Sequence, residues 1–303
     1  MGKELITFRE PKSPISETFR TLRTNIQFMN MNKKLNTLLV TSTLSGEGKS
    51  WVTSNLAITF AQAGKKVVII DADMRKGREY AIFQIAPRPG LSDYLADMDE
   101  NFDGVSHLGN YIQQTDVDNL FVMTSGSIPP NPSELLISAQ MIGLLKALSE
   151  LFDIVIIDGT PCELVTDSVI LSRIVDSTII VTEHNHTSKT SLEKTIKSIQ
   201  NVNGNIAGVV LNKVPINKKK YESSYYYGSK DLHRSKNYKG RFEANKLDIN
   251  INNTDINNVK STAKIDEIIK NKNADIKVNK DEEAFKILQQ VNDYLDNEKK
   301  KKK

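Results

Sequence analysis

The chain has 303 residues, 39% hydrophobic and 26% charged, with a formal net charge of +4, which fits a globular protein of one large or two small domains. Cys162 is the only cysteine, so a disulfide framework within the chain is excluded and a reducing cytosol is expected. No apolar run reaches the length of a bilayer span, Lys3, Glu4, Arg9 and Glu10 interrupt any apolar leader, and the mild charge gives no argument for nucleic acid as a partner.

Residues 1–12 read as an irregular lead. Ser13-Pro14 supplies an N-cap and a proline at the first helical position. Ile15, Phe19, Leu22, Ile26 and Met29 then recur at helical spacing. Glu17, Arg20 and Arg23 follow one another three residues apart. By residue physics alone they read as a solvated face with a helix-surface ion pair. Leu38-Leu39-Val40 is a buried strand, followed by the loop Ser42-Thr43-Leu44-Ser45-Gly46-Glu47-Gly48-Lys49-Ser50 and a helix from Trp51 to Ala63 closed by Gly64. Strand, Gly-rich loop, Lys-Ser and helix together form a phosphate-binding loop. Its backbone N–H groups and the helix N-terminus favour anions. Gly46, Glu47, Gly48, Lys49, Ser50 and Trp51 are the expected nucleotide-binding residues. Lys49 reaches the β- and γ-phosphates, and Ser50 ligates Mg²⁺. Thr43 stands where the usual pattern has a first glycine.

Lys66 to Asp71 is a second strand, β-branched without alternation, as a parallel strand covered on both faces requires. Asp71-Ala72-Asp73-Met74-Arg75 sits at its end, and Arg75 is expected to neutralise transition-state charge or to pair with Asp73. Gly90 opens a short helix, and residues 96–118 are polar and carry no clear signal. Leu120 to Met123 is a short strand, and Ser133 is expected to cap one helix running to about Leu151. Ile154 to Ile157 ends at Asp158. A helix over 168–175, a strand over 178–181, a helix over 188–201 and a strand over 206–211 complete the alternation. Such alternation predicts an α/β fold, a P-loop NTPase-type mostly parallel sheet flanked by helices, with strand C-terminal ends gathered on one edge. Beyond Pro215 the chain is rich in Lys, Asn, Asp and Glu, with little apolar area to offset ordering, and reads as a largely disordered tail. Tyr221, Tyr225, Tyr226, Tyr227 and Tyr238 interrupt it, as does the stripe Phe285, Leu288, Val291 and Leu295. The expected division is 1–30 as an N-terminal segment with its helix, 31–216 as the nucleotide-binding domain, and 217–303 as the tail.

Lys49, Ser50, Asp71, Asp73 and Asp158 all fall at or just past strand ends, so the fold brings them to one edge. Mg²⁺ takes one or two carboxylates and fills its octahedron with phosphate and water. Ser50, Asp71 and Asp158 are the expected metal residues. Lys49, Asp71, Asp73 and Asp158 are the expected catalytic set, with at least one aspartate free to accept a proton. Cys162 reads as a packed small residue.

With these residues in place, the chain resembles the bacterial tyrosine kinases of capsule and exopolysaccharide synthesis. The resemblance covers about residues 12–227, on Ser45-Gly46-Glu47-Gly48-Lys49-Ser50, Asp71-Ala72-Asp73-Met74-Arg75-Lys76, Ile156-Ile157-Asp158, the segment Gly126 to Leu136, and the tyrosine cluster. Ser45 and Gly77 stand where proline is common in that family, and Asp158-Gly159-Thr160-Pro161-Cys162 replaces an Asp-Thr-Pro-Pro run. The resemblance implies an ATP- and Mg²⁺-dependent autokinase whose tyrosines, Tyr221, Tyr225, Tyr226, Tyr227 and Tyr238, enter a neighbouring subunit's site. It implies that Glu17, Arg20 and Arg23 are a subunit-contact motif of a ring-shaped homo-oligomer and that Asn212 contacts adenine. It further implies a separate membrane-anchored activator related to polysaccharide chain-length regulators, a cognate phosphatase, and a cytoplasmic protein held at the inner face of the plasma membrane through that partner. The alternatives are a septum-placing or plasmid-partitioning ATPase and an ATP-binding adaptor without turnover. The first carries an additional lysine where this chain has Leu44.

Overall fold

In the computed structural model, residues 2, 4–29, 35–97 and 108–215 are described. The tyrosines at 221, 225, 226, 227 and 238 and the apolar stripe at 285–295 lie outside them. The order is α1 (Ile6–Arg9), α2 (Pro14–Met29), β1 (Thr37–Ser42), α3 (Lys49–Gln62), β2 (Val67–Asp71), α4 (Glu79–Phe83) and α5 (Leu91–Ala96), then a 3-10 turn at Leu108–Asn110. It continues with β3 (Gln113–Gln114), β4 (Leu120–Met123), α6 (Pro132–Ile137), α7 (Ala139–Leu151), β5 (Ile154–Pro161), α8 (Asp167–Ile174), β6 (Ser177–Glu183), α9 (Lys189–Asn201) and β7 (Ile206–Asn212).

Seven strands form one sheet in the order β3-β4-β2-β5-β1-β6-β7. All neighbours are parallel except the short β3–β4 edge pair. The central strands are apolar on both faces because both faces are covered. Successive side chains point to opposite sides, so Leu38 and Val40, Val67 and Ile69, and Ile154 and Ile156 join one core with α3 and part of α2. Leu39, Val68 and Ile70, and Val155 and Ile157 join the other with residues of α5, α7 and α8. Helix α3 is buried over most of its circumference, which explains why it lacks a one-sided apolar stripe. No helix among the described residues is long and apolar enough to cross a membrane.

Three expectations are corrected. The lead of 1–12 contains α1, docked by long-range hydrogen bonds rather than by its own period. Thr7 donates N–H and Oγ1 to Asn55 Oδ1 at 3.0 and 2.9 Å, and Leu5 is fully buried. The single helix expected from Ser133 to Leu151 is two helices. Ser138 adopts an extended conformation between them, and its Oγ accepts the Met141 N–H at 3.2 Å, starting α7 afresh. Ser133 does not cap: its hydroxyl donates to Asp167 Oδ1 at 2.6 Å, and Asn131 occupies the N-cap position. The strand ending at Asp158 runs on to Pro161.

Candidate phosphate-binding site

The loop between β1 and α3 begins at the C-terminal edge of the sheet. Gly46 and Gly48 have φ of 87° and 94°, a left-handed backbone that glycine adopts without strain. A Cβ on Gly48 would lie 2.3 Å from Asn212 Nδ2, so that position has no room for a side chain. That same Nδ2 donates to the Glu47 carbonyl at 2.8 Å. Asn212 therefore shapes the loop by holding the Glu47 carbonyl beside Gly48. The Glu47 carboxylate is fully buried, accepting the Leu44 N–H at 2.8 Å and the Thr187 hydroxyl. What Glu47 offers a phosphate is its backbone. Lys213 Nζ donates to the Gly46 carbonyl at 2.9 Å and to Glu183 Oε2 at 2.8 Å. The turn after β6 and the end of β7 thus hold the loop in shape. Thr187, Glu183 and Lys213 went unnoticed in the sequence, since each is a single polar residue without a motif.

Parallel register does the rest. Asp71 on β2 lies opposite Asp158 on β5. Lys49 Nζ lies 3.1 Å from Asp73 Oδ2, 3.6 Å from Asp158 Oδ2 and 3.3 Å from Ser50 Oγ. Thr53 Oγ1 donates to Asp158 Oδ1 at 3.4 Å. The Asp71 carboxylate is committed to backbone: Oδ1 accepts the Asp73 N–H at 3.2 Å, and Oδ2 accepts those of Arg78 at 2.8 Å and Glu79 at 3.1 Å. Asp73 Oδ1 accepts the Lys76 N–H at 2.9 Å. A cavity of about 380 Å³ opens above, lined by Gly46, Gly48, Lys49, Ser50 and Trp51 from the loop and by Asp73. The Trp51 ring packs edge-to-face on Phe19, with centroids 5.1 Å apart.

Glu79 is a further residue that sequence reasoning missed. It is fully buried, with Oε2 2.7 Å from Ser54 Oγ, and Ser54 Oγ is also 2.8 Å from the Ser50 carbonyl. A serine hydroxyl has one proton to give. When Ser54 donates to the carbonyl, Glu79 must supply the proton of the other bond. Burial, with Asp158 and Asp71 nearby, pushes Glu79 well above the usual carboxylate range. Burial and the Asp158 charge likewise raise Asp71 to about 7. Burial also raises Asp158, against the opposing pull of Lys49. Burial alone would lower Lys49, but Asp158, Asp73 and Asp71 outweigh it and hold the ammonium charged.

An all-oxygen set of Ser50, Asp71 and Asp158 suits a hard cation. Among the described residues no three carboxylate, imidazole or thiolate side chains form a metal-holding cluster. Arg75 pairs with the buried Asp167, its Nε 3.1 Å from Oδ2, and not with Asp73. Cys162 contacts Thr41 Oγ1 at 3.2 Å, and burial pushes its thiol up to about 11, consistent with a packing role. On α2, Arg20 pairs with Glu17 at 2.7 Å and also donates to the Pro11 carbonyl, while Arg23 reaches across to the Thr59 carbonyl at 2.7 Å.

Residues 38–227 match the CobQ/CobB/MinD/ParA nucleotide binding domain. The putative tyrosine-protein kinase CapB of Staphylococcus aureus is 39% identical over 218 residues, 72% of this chain and 91% of that protein. The tyrosine-protein kinase YwqD of Bacillus subtilis is 36% identical over 232 residues, 76% of this chain and 94% of that protein. The solved kinase domain of the Escherichia coli tyrosine kinase ETK superimposes with a TM-score of 0.64 at 31% identity, covering 70% of this chain and 82% of that one.

Proposed function

This chain belongs to the CobQ/CobB/MinD/ParA nucleotide-binding family and, within it, to the bacterial tyrosine kinases of capsule and exopolysaccharide systems, and from that premise we propose how its residues divide the work of an ATP-dependent autokinase. The observation that carries the division is Lys49 Nζ, seated between Asp73 and Asp158 beneath the glycine loop. ATP is the phosphoryl donor. The loop amides from Gly46 to Trp51 and the Lys49 ammonium hold its phosphates. Ser50 and Asp158, with Asp71 behind them, would hold Mg²⁺, which neutralises charge on the β- and γ-phosphates when bound. Asp73 borders the cavity, whereas Asp71 is tied down by three backbone N–H groups. Asp73 is therefore the carboxylate that takes the phenolic proton. The tyrosine oxygen forms its bond to the γ-phosphorus as the bond to the β,γ-bridging oxygen breaks, and ADP departs with that electron pair. Positioning and charge stabilisation supply most of the rate.

The acceptors are Tyr221, Tyr225, Tyr226, Tyr227 and Tyr238 of a neighbouring subunit in a ring-shaped oligomer, with Glu17, Arg20 and Arg23 at the contact. A separate membrane-anchored chain-length regulator activates the kinase and holds it at the inner face of the membrane, and a cognate phosphatase resets it. Leu44, where positioning ATPases carry a lysine, argues against that class. The test is incubation with ATP and Mg²⁺ in the presence of the activator's cytoplasmic segment, followed by phosphosite mapping. Phosphate is expected on the tyrosine cluster of the native chain and on none in Lys49→Met. A native chain that stays unmodified with its activator supplied would refute the reading.

A further inference from the structure

The base and the mouth of the cavity differ in how their cations are held. At the base Lys49 is paired with Asp73, which lines the cavity, and with the buried Asp158. At the mouth, Arg75, Lys76 and Arg78 line the cavity and are exposed. The Arg75 Nε is engaged by Asp167. Lys76 has no carboxylate within ion-pair distance of its ammonium among the described residues, and its backbone N–H donates to Asp73 Oδ1. Among the described residues the Arg78 guanidinium pairs only with Glu4, at 3.5 Å, between side chains 63% and 45% exposed, a pair that water and salt screen heavily. Across the mouth, Leu164 is 64% exposed and Val165 partly so, an apolar wall with no polar demand.

On the kinase reading the base of the cavity is taken by the nucleotide's phosphates, so a second phosphate arriving with the acceptor meets the exposed cations of the rim. The chain's own acceptor segment has a matching design. Tyr225-Tyr226-Tyr227 are consecutive, so once one carries phosphate an unmodified tyrosine lies one or two residues away. In an extended strand, residues two apart face the same side about 7 Å from each other. We propose that Lys76 and Arg78 read a phosphotyrosine beside the acceptor tyrosine, so that the first phosphate on the run primes the next. The inference rests on the kinase reading above and names the preferred substrate of that site: a tyrosine flanked by phosphotyrosine, its ring against Leu164 and Val165. A phosphate bears close to two negative charges and three acceptor oxygens, which a lysine and an arginine satisfy by charge-assisted hydrogen bonds.

The test is a binding measurement that needs no turnover. Labelled peptides spanning residues 219–231, one unmodified and one with phosphate on the tyrosine at 227, are titrated with the full chain and Mg-ADP by fluorescence anisotropy. The chain carries Phe at its own five cluster tyrosines. The phosphorylated peptide is expected to bind about 5–10-fold tighter at low salt, with the preference shrinking as salt rises. In Lys76→Ala/Arg78→Ala it falls to within about twofold, while ADP affinity and the melting temperature stay at the parent's values. Equal or undetectable binding of the two peptides overturns the proposal, as does a preference that survives the double substitution. A double variant that instead loses ADP affinity assigns both cations to the nucleotide and overturns it too. Failure of the kinase reading would appear separately, as a native chain that makes no phosphotyrosine from ATP.

Discussion

Asp71 shows how far one side chain's chemistry depends on its surroundings. Its position after an apolar strand is plain in the sequence, and so are those of Lys49, Asp73 and Asp158, because strand ends and the glycine loop carry recognisable patterns. Its proton affinity is not, since that comes from burial and from Asp158 across the sheet. An Asp with a folded value near 7 and an ordinary value of 3.8 holds more protons folded than unfolded between those limits. Stability therefore falls as pH rises through that window. The chain without nucleotide or metal is expected to lose on the order of 1 kcal/mol per pH unit between about pH 4 and 7, in urea melts with EDTA present. Asp71→Asn should flatten the slope, and a rise in stability over the same range would contradict this account. Glu79, Thr187 and Lys213 escaped notice for the opposite reason: an isolated polar residue has no period or spacing, and its meaning lies wholly in what it meets.

Elements were legible wherever local pattern and burial agree. Strands β1, β2 and β4 to β7 and helices α3, α5, α8 and α9 lie close to where runs of β-branched residues, caps and closing glycines place them, whereas the two-residue edge strand β3 falls in the polar stretch 96–118 that carried no signal. The α6–α7 boundary was hidden because a serine inside an apolar-periodic stretch looks like a tolerated helix residue. Tertiary context turns Ser138 into a cap and gives Ser133 to Asp167. Ser138→Ala should cost about 1 kcal/mol, within the range usual for a lost N-cap, measured by chemical denaturation. A cost near zero would mean that α7 is held by the packing of Met141, Leu144 and Leu148 alone. The brief helix α1 was equally hidden, since Asn55 on α3 binds it from 48 positions away.

At the scale of the molecule, the site is a property of sheet order. With β1 between β5 and β6, and β5 beside β2, the glycine loop and the two aspartate-bearing strands end side by side. The nucleotide would meet a site already shaped by Asn212 and Lys213, and binding to the folded chain alone stabilises it by mass action. Mg-ATP at a hundred times its Kd should add about 2.7 kcal/mol to unfolding, seen as a raised Tm, and Lys49→Met should lose most of that gain at the same concentration. An equal gain in the variant would place nucleotide binding elsewhere. The sequence by itself determined the fold class, the phosphate loop and the aspartates, because hydrophobic period and motif spacing are local and survive in one dimension. Only the tertiary structure decided which aspartate borders the cavity, that Glu47 and Asn212 brace the loop, that Arg75 belongs to Asp167, and that a buried Glu79 underlies the site. Those outcomes depend on burial and on partners far along the chain, and neither is written in any one stretch of it.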